Sequence, residues 1–172
     1  MSADPITIEG TTYPDSIDPM MAAIRDAIIT AASAPVPADE TLTEFGTDQV
    51  VIVPPDETEQ GIDAKIKKAF GRTKGLVLLL VAGGAKNPDK TAPGPRLTLE
   101  MEAQLFVNTR MRAKDARPVL QVLCAVMKLL HHAQIRISGF PWYEELNVTG
   151  FEPMADPDFT AYAITIEREF QL

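Results

Sequence analysis

From residue 97 to residue 107 apolar and polar side chains alternate. Leu97, Leu99, Met101, Ala103, Leu105 and Val107 fall on one side, Thr98, Glu100, Glu102 and Gln104 on the other. The code returns near the end, with Tyr162, Ile164, Ile166 and Phe170 opposite Thr165, Glu167 and Glu169. Successive side chains of a strand point to opposite faces, so both segments predict long strands with one core face and one wet face. Between them, residues 116–132 predict a helix. Val119, Leu120, Val122, Leu123, Val126, Met127, Leu129 and Leu130 cover most of its circumference, while Arg117, Gln121, Lys128 and His132 form a narrow polar stripe. Asp115 suits the N-cap and Pro118 the first turn, where a missing N–H costs nothing. A helix this apolar must be covered, and the two alternating strands are the natural cover.

Weaker patterns fill the rest. Residues 1–17 predict a flexible arm with a short extended piece, Ile6-Thr7-Ile8, and turn formers at Gly10, Pro14 and Asp15. Asp18-Pro19 then opens a helix whose apolar face is Met20, Met21, Ile24, Ala27, Ile28 and Ala31, ending near Ser33 ahead of Pro35 and Pro37. Val50 to Val53 reads as a short buried strand. Ile62, Ile66, Ala69 and Phe70 lie on one face of a basic helix with Gly71 as its C-cap, and Leu76 to Val81 reads as a central strand. Strand, helix and strand in this order suggest a crossover between parallel strands. Residues 83–96 show no apolar periodicity and are rich in Gly and Pro, which predicts a mobile loop. Phe140-Pro141-Trp142-Tyr143 forms an aromatic turn, Leu146 to Phe151 a strand, and Pro153 to Pro157 a loop. The whole predicts an α+β fold with a mixed, largely antiparallel sheet and helices packed on one face. Residues 18–172 form a single domain behind the arm.

A 172-residue chain with 45% hydrophobic and 23% charged residues suits one globular core. No apolar run reaches transmembrane length, and Met-Ser-Ala-Asp-Pro has neither the basic nor the apolar region of a signal peptide, so a protein that stays in the cytoplasm or leaves by cell lysis, with no membrane partner, is expected. The lone Cys124 has no internal disulfide partner and is expected as a small buried hydrophobe on the core helix.

Charge changes the picture more. Residues 1–60 hold one Arg against twelve acids, a net of −11; residues 61–96 hold eight Lys or Arg against two acids, a net of +6; the remainder holds seven against ten, −3. This split disfavours general nucleic-acid binding and suits contact between opposite patches on neighbouring copies. Lys65, Lys67, Lys68, Lys86, Lys90 and Arg96 are the candidate interface residues. By strand parity, Glu100, Glu102, Glu167 and Glu169 share the wet face of the two long strands.

Catalytic signals are weak. A phosphate-binding loop requires Gly-x-x-x-x-Gly-Lys-Ser/Thr followed at once by a helix. Before Lys90-Thr91, however, Asp89 stands where that second glycine belongs, and Ala-Pro-Gly-Pro follows. Cys124 and His131 lie two helical turns apart, about 10 Å, and adjacent histidines diverge by about 100°, so one zinc cannot take Cys124, His131 and His132 together. With four serines and no nucleophile or metalloprotease motif, no catalytic residue, metal or cofactor is expected.

The order of these elements resembles the tail terminator family of long-tailed bacteriophages. The likeness rests on an N-terminal helix, a central strand, a Gly- and Pro-rich loop, the strand from Leu97, the helix from Arg117 to His132, and the terminal strand Tyr-Ala-Ile-Thr-Ile-Glu-Arg-Glu-Phe. It covers residues 18–172 as pattern and order. The resemblance implies a hexameric ring that caps the tail tube, stops its polymerisation and offers a joining surface to head or neck proteins. It places the protein in the virion, assembled in the host cytoplasm. DNA would pass through the ring unbound, and Glu100, Glu102, Glu167 and Glu169 would face its lumen. Two other readings are another tail completion or head-tail joining protein, and a small nucleotide-binding enzyme using Lys90-Thr91.

Overall fold

The computed structural model describes residues 7–10, 17–34, 40–54, 56–70, 75–86, 96–137, 143–156 and 158–171. In chain order the elements are β1 (Thr7–Gly10), α1 (Ile17–Ser33), β2 (Val50–Val53), α2 (Glu59–Phe70), β3 (Leu76–Lys86), β4 (Arg96–Val107), α3 (Val119–Leu130), β5 (Gln134–Ile137), β6 (Tyr143–Met154) and β7 (Thr160–Gln171). Two short 3-10 helices, Glu40–Glu44 and Thr47–Gln49, lead into β2. The seven strands form one sheet in the order β1-β5-β6-β7-β4-β3-β2. Its two end pairs, β1 with β5 and β2 with β3, are parallel, and every pair between is antiparallel. The fold is therefore α+β with a mixed, largely antiparallel sheet.

The long strands pair as their alternation requires. Met101 lies opposite Ile166, Ala103 opposite Ile164 and Leu105 opposite Tyr162. These side chains, with Leu76, Leu78 and Leu80 of β3, meet Met20, Met21, Ile24 and Ile28 of α1 and Val122, Leu123, Val126 and Leu130 of α3. Arg168 falls on this same apolar parity. It is buried, its Nη1 donates to Met20 Sδ at 3.1 Å, and desolvation lowers its pKa to about 10.

One expectation needs correction: the helices do not all share a face. Ile66, Ala69 and Phe70 of α2 pack with Val53, Val77, Leu79 and Phe106, the opposite parity from Leu76 and Leu78. The physical reason is the β2-α2-β3 crossover, whose strands are parallel with Val50 opposite Leu78. Val77 and Leu79 are as apolar as their neighbours, so β3 is buried on both faces and needs a cover on each.

Several segments depart from their predicted bounds. Residues 83–86 and Arg96 are not loop but strand. Lys86 pairs with Thr98 after a register shift between Ala82 and Ala85, and residues 87–95 lie outside the described residues. Gly83 fits this irregularity because a Cβ there would stand 2.5 Å from the Glu100 carbonyl oxygen. Thr7–Gly10 is not part of a free arm but pairs with the edge of β5, a strand too short to announce itself in sequence. The predicted loop at Pro153 begins inside β6, because Pro153 and Met154 still register with Tyr162 and Ala161. Gly71 and the turn at 140–142 lie outside the described residues.

Helix α3 starts at Val119 with Pro118 as its N-cap residue, not at Ala116 behind Asp115. The segment before it is held from outside: Glu44 Oε1 accepts the Arg117 backbone N–H at 2.7 Å, and Glu44 Oε2 pairs with Arg112 Nη2 at 2.9 Å. Cys124 is exposed, since it falls one turn after Leu120 and one turn before Lys128 on the outer face. At the other end His132 takes φ 63°, and its backbone N–H donates to the Leu146 carbonyl, turning the chain into β5.

Candidate assembly surfaces

Strand parity brings the predicted acidic residues together. Glu100 lies directly opposite Glu167 across β4 and β7, Glu102 lies opposite Thr165, and Glu169 registers with Thr98. All four positions belong to the sheet face that α2 covers only at its far end, over Val77, Leu79 and Phe106. Glu100, Glu102 and Glu167 are half-exposed, and Gln104 Nε2 donates to Glu102 Oε2 at 2.8 Å. The register adds two positions that the sequence pattern did not reveal. Asn147 sits opposite Glu167, and a register shift between Val148 and Gly150 brings Glu152 opposite Ala163, on the same face. A bulge inverts parity beyond itself, so counting by twos from Leu146 misplaces Glu152.

The predicted basic residues do not form one patch. Lys65, Lys67 and Lys68 are on α2, whereas Lys86 and Arg96 close the far ends of β3 and β4. Lys86 lies five residues beyond Val81, where β2 stops pairing, a run of roughly 15 Å along the sheet. Lys90 and Thr91 lie outside the described residues. Lys65 pairs with the Glu57 carboxylate, and that hydrogen bond holds the Glu57 carboxyl below its ordinary range. Lys67 and Lys68 are exposed.

A cleft of about 310 Å3 lies along β2, the terminal strand of the sheet. Val50, Val51 and Ile52 of β2 form its floor with Ala69, and Arg25, Lys65 and Lys68 ring it with Thr47 and Asp48. Arg25 comes from α1 on one face of the sheet, and Lys65 and Lys68 come from α2 on the other, so the cations converge on the strand edge from both sides. Behind the cleft, buried Gln49 fixes the start of β2: its Oε1 accepts the Gly46 N–H at 2.7 Å and its Nε2 donates to the Leu76 carbonyl at 3.3 Å. Arg25 was not singled out by the sequence, because nothing local links it to α2.

His131 Nδ1 accepts the Val148 N–H at 3.3 Å and His132 Nδ1 meets the Glu145 carboxylate, so both rings are engaged. Among the described residues no group of three or more His, Cys, Asp or Glu is placed to hold a metal, and no helix is long and apolar enough to cross a membrane. No protein-family model and no curated protein matches the chain.

Proposed function

We propose that the chain is a structural protein of a long-tailed bacteriophage virion, assembled in the host cytoplasm, that caps the tail tube as a hexameric ring. The ring stops tube polymerisation and presents a joining surface to the head or neck proteins. The observation that carries this reading is the acidic face of the β4/β7 pair, with Glu100 directly opposite Glu167 and Glu102 beside them. Like charges placed opposite one another on a sheet cost stability, so their accumulation is explained when the face has a use. Turned toward a lumen, it repels phosphate and keeps DNA from adhering in transit, whereas Lys or Arg there would bind DNA through counterion release. The order of elements that resembles the tail terminator family supports the same reading.

The test is capping. Purified chain is added to tail tubes growing from the tube protein of the same virus, and tube length and ends are followed by electron microscopy. Tubes of arrested length carrying a terminal ring are expected. Tubes that grow unchecked, with no added density at either end, would refute the proposal. Virions carrying Glu100→Gln, Glu102→Gln, Glu167→Gln and Glu169→Gln together should assemble and eject DNA more slowly.

A further inference from the structure

The sheet ends in two short edge strands of unlike surroundings, β1 at one margin and β2 at the other. Among the described residues β2 is paired only through β3, so its outer N–H and C=O groups line the cleft and are available to another strand. Short edge strands flanked by charge are the usual guard against indiscriminate pairing, and the same charge selects a partner of opposite sign. The β2 edge offers Arg25, Lys68 and Lys65, the last already paired with Glu57, against Asp48. At the other margin β1 contains Glu9, which registers with Arg136 of β5, and the sequence of the first 24 residues holds Asp4, Glu9, Asp15 and Asp18 and no Lys or Arg.

We infer that the β2 cleft receives β1 of a second copy, which adds to the sheet edge as a parallel strand. Charge chooses this pairing over the symmetric ones. Two β2 edges brought together would oppose Arg25, Lys65 and Lys68 to their own copies, and two N-terminal segments would bring together two chains of net negative sequence charge. Direction follows from the topology. Through the alternation of parallel and antiparallel neighbours, β1 and β2 run the same way across the sheet. Copies that repeat head to tail with their strands aligned therefore bring β1 parallel to β2. Such a contact is heterologous: each copy gives one edge and receives on the other, and the series closes when the rotation allows. Backbone hydrogen bonds would supply the affinity, and the cations flanking the cleft would set partner and register. The inference rests on the ring reading above for the statement that copies join at all.

The experiment uses a fluorescent peptide of residues 1–16 and the full chain, with binding read by anisotropy. The wild-type chain should bind it, and added salt should weaken binding. The double variant Lys65→Glu/Lys68→Glu, its fold checked by circular dichroism, should bind about tenfold or more weakly. A peptide carrying Thr7→Pro and Ile8→Pro, adjacent positions of which one must donate to the partner edge, should lose binding whatever its charge. No binding by wild type, equal binding by the double variant, or equal binding of the proline peptide would each overturn the inference. The second of these is also the result if the peptide merely displaces the chain's own β1 from β5. Tube capping without peptide binding would remove this contact and leave the capping reading in place. Peptide binding by a chain that fails to cap would do the reverse.

Discussion

Leu120 and Leu123 are three residues apart on α3 and chemically identical, yet their truncation should have very different costs. Leu123 is 0% exposed and sits in the core shared with α1 and the sheet, whereas Leu120 is 54% exposed. Leu123→Ala removes a fully buried side chain and leaves a cavity, so it should cost about 3–5 kcal/mol. Leu120→Ala loses at most about half of a smaller transfer contribution and gains slightly in helix propensity, for a net cost of about 1 kcal/mol or less. For a chain of this size about 2–4 °C accompanies each kcal/mol, so the first variant should melt roughly 6–20 °C lower and the second within about 4 °C of wild type. Urea unfolding followed by far-UV circular dichroism gives the same comparison, with the midpoint shifting and the slope unchanged. Equal losses from the two variants, or the larger loss from Leu120→Ala, would show that α3 presents a different face to the core.

Two further outcomes follow from the charges. Lys65→Met should raise the Glu57 pKa toward its ordinary value, as read by carboxyl-carbon NMR titration, because the Lys65 hydrogen bond is the largest cause of its depression. By linkage a depressed carboxyl pKa gives stability that is present above the unfolded-state value and is lost as pH falls through the folded one, so this pH dependence should flatten in the variant. An unmoved Glu57 titration would show that the pair does not form in solution. Glu167→Gln should reduce the salt dependence of stability, because it removes one of the two carboxylates that register with each other across β4 and β7. A salt dependence equal to that of wild type would show that this pair adds no net repulsion.

Sequence alone determined whatever depends on local periodicity. Alternation at 97–107 and 160–170 determined two long strands, their core faces and the shared side of Glu100, Glu102 and Glu167, because the strand repeat of two is fixed by backbone geometry. Arg168, which the pattern passed over, shares the core parity of Ile164 and Ile166, and nothing local says that a guanidinium there will be buried. Tertiary structure decided everything that depends on which segments meet. The α3 pattern is apolar nearly all round, so only the placement of α1 and the sheet separates buried Leu123 from exposed Leu120 and Cys124. The four residues of β1 and the four of β5 are each too short to carry a period, and they become strands by pairing with one another, more than a hundred residues apart, and with β6. The bulge after Val148 moves Glu152 onto the acidic face by a one-residue offset that no composition encodes. The predicted basic residues that the structure describes are close in sequence but not in space: helix α2 carries Lys65 and Lys68 to the β2 edge, Lys86 and Arg96 close the far ends of β3 and β4, and α1 brings Arg25 to the cleft from the opposite side. Net charge is a property of the segment, but a binding surface is a property of the packing.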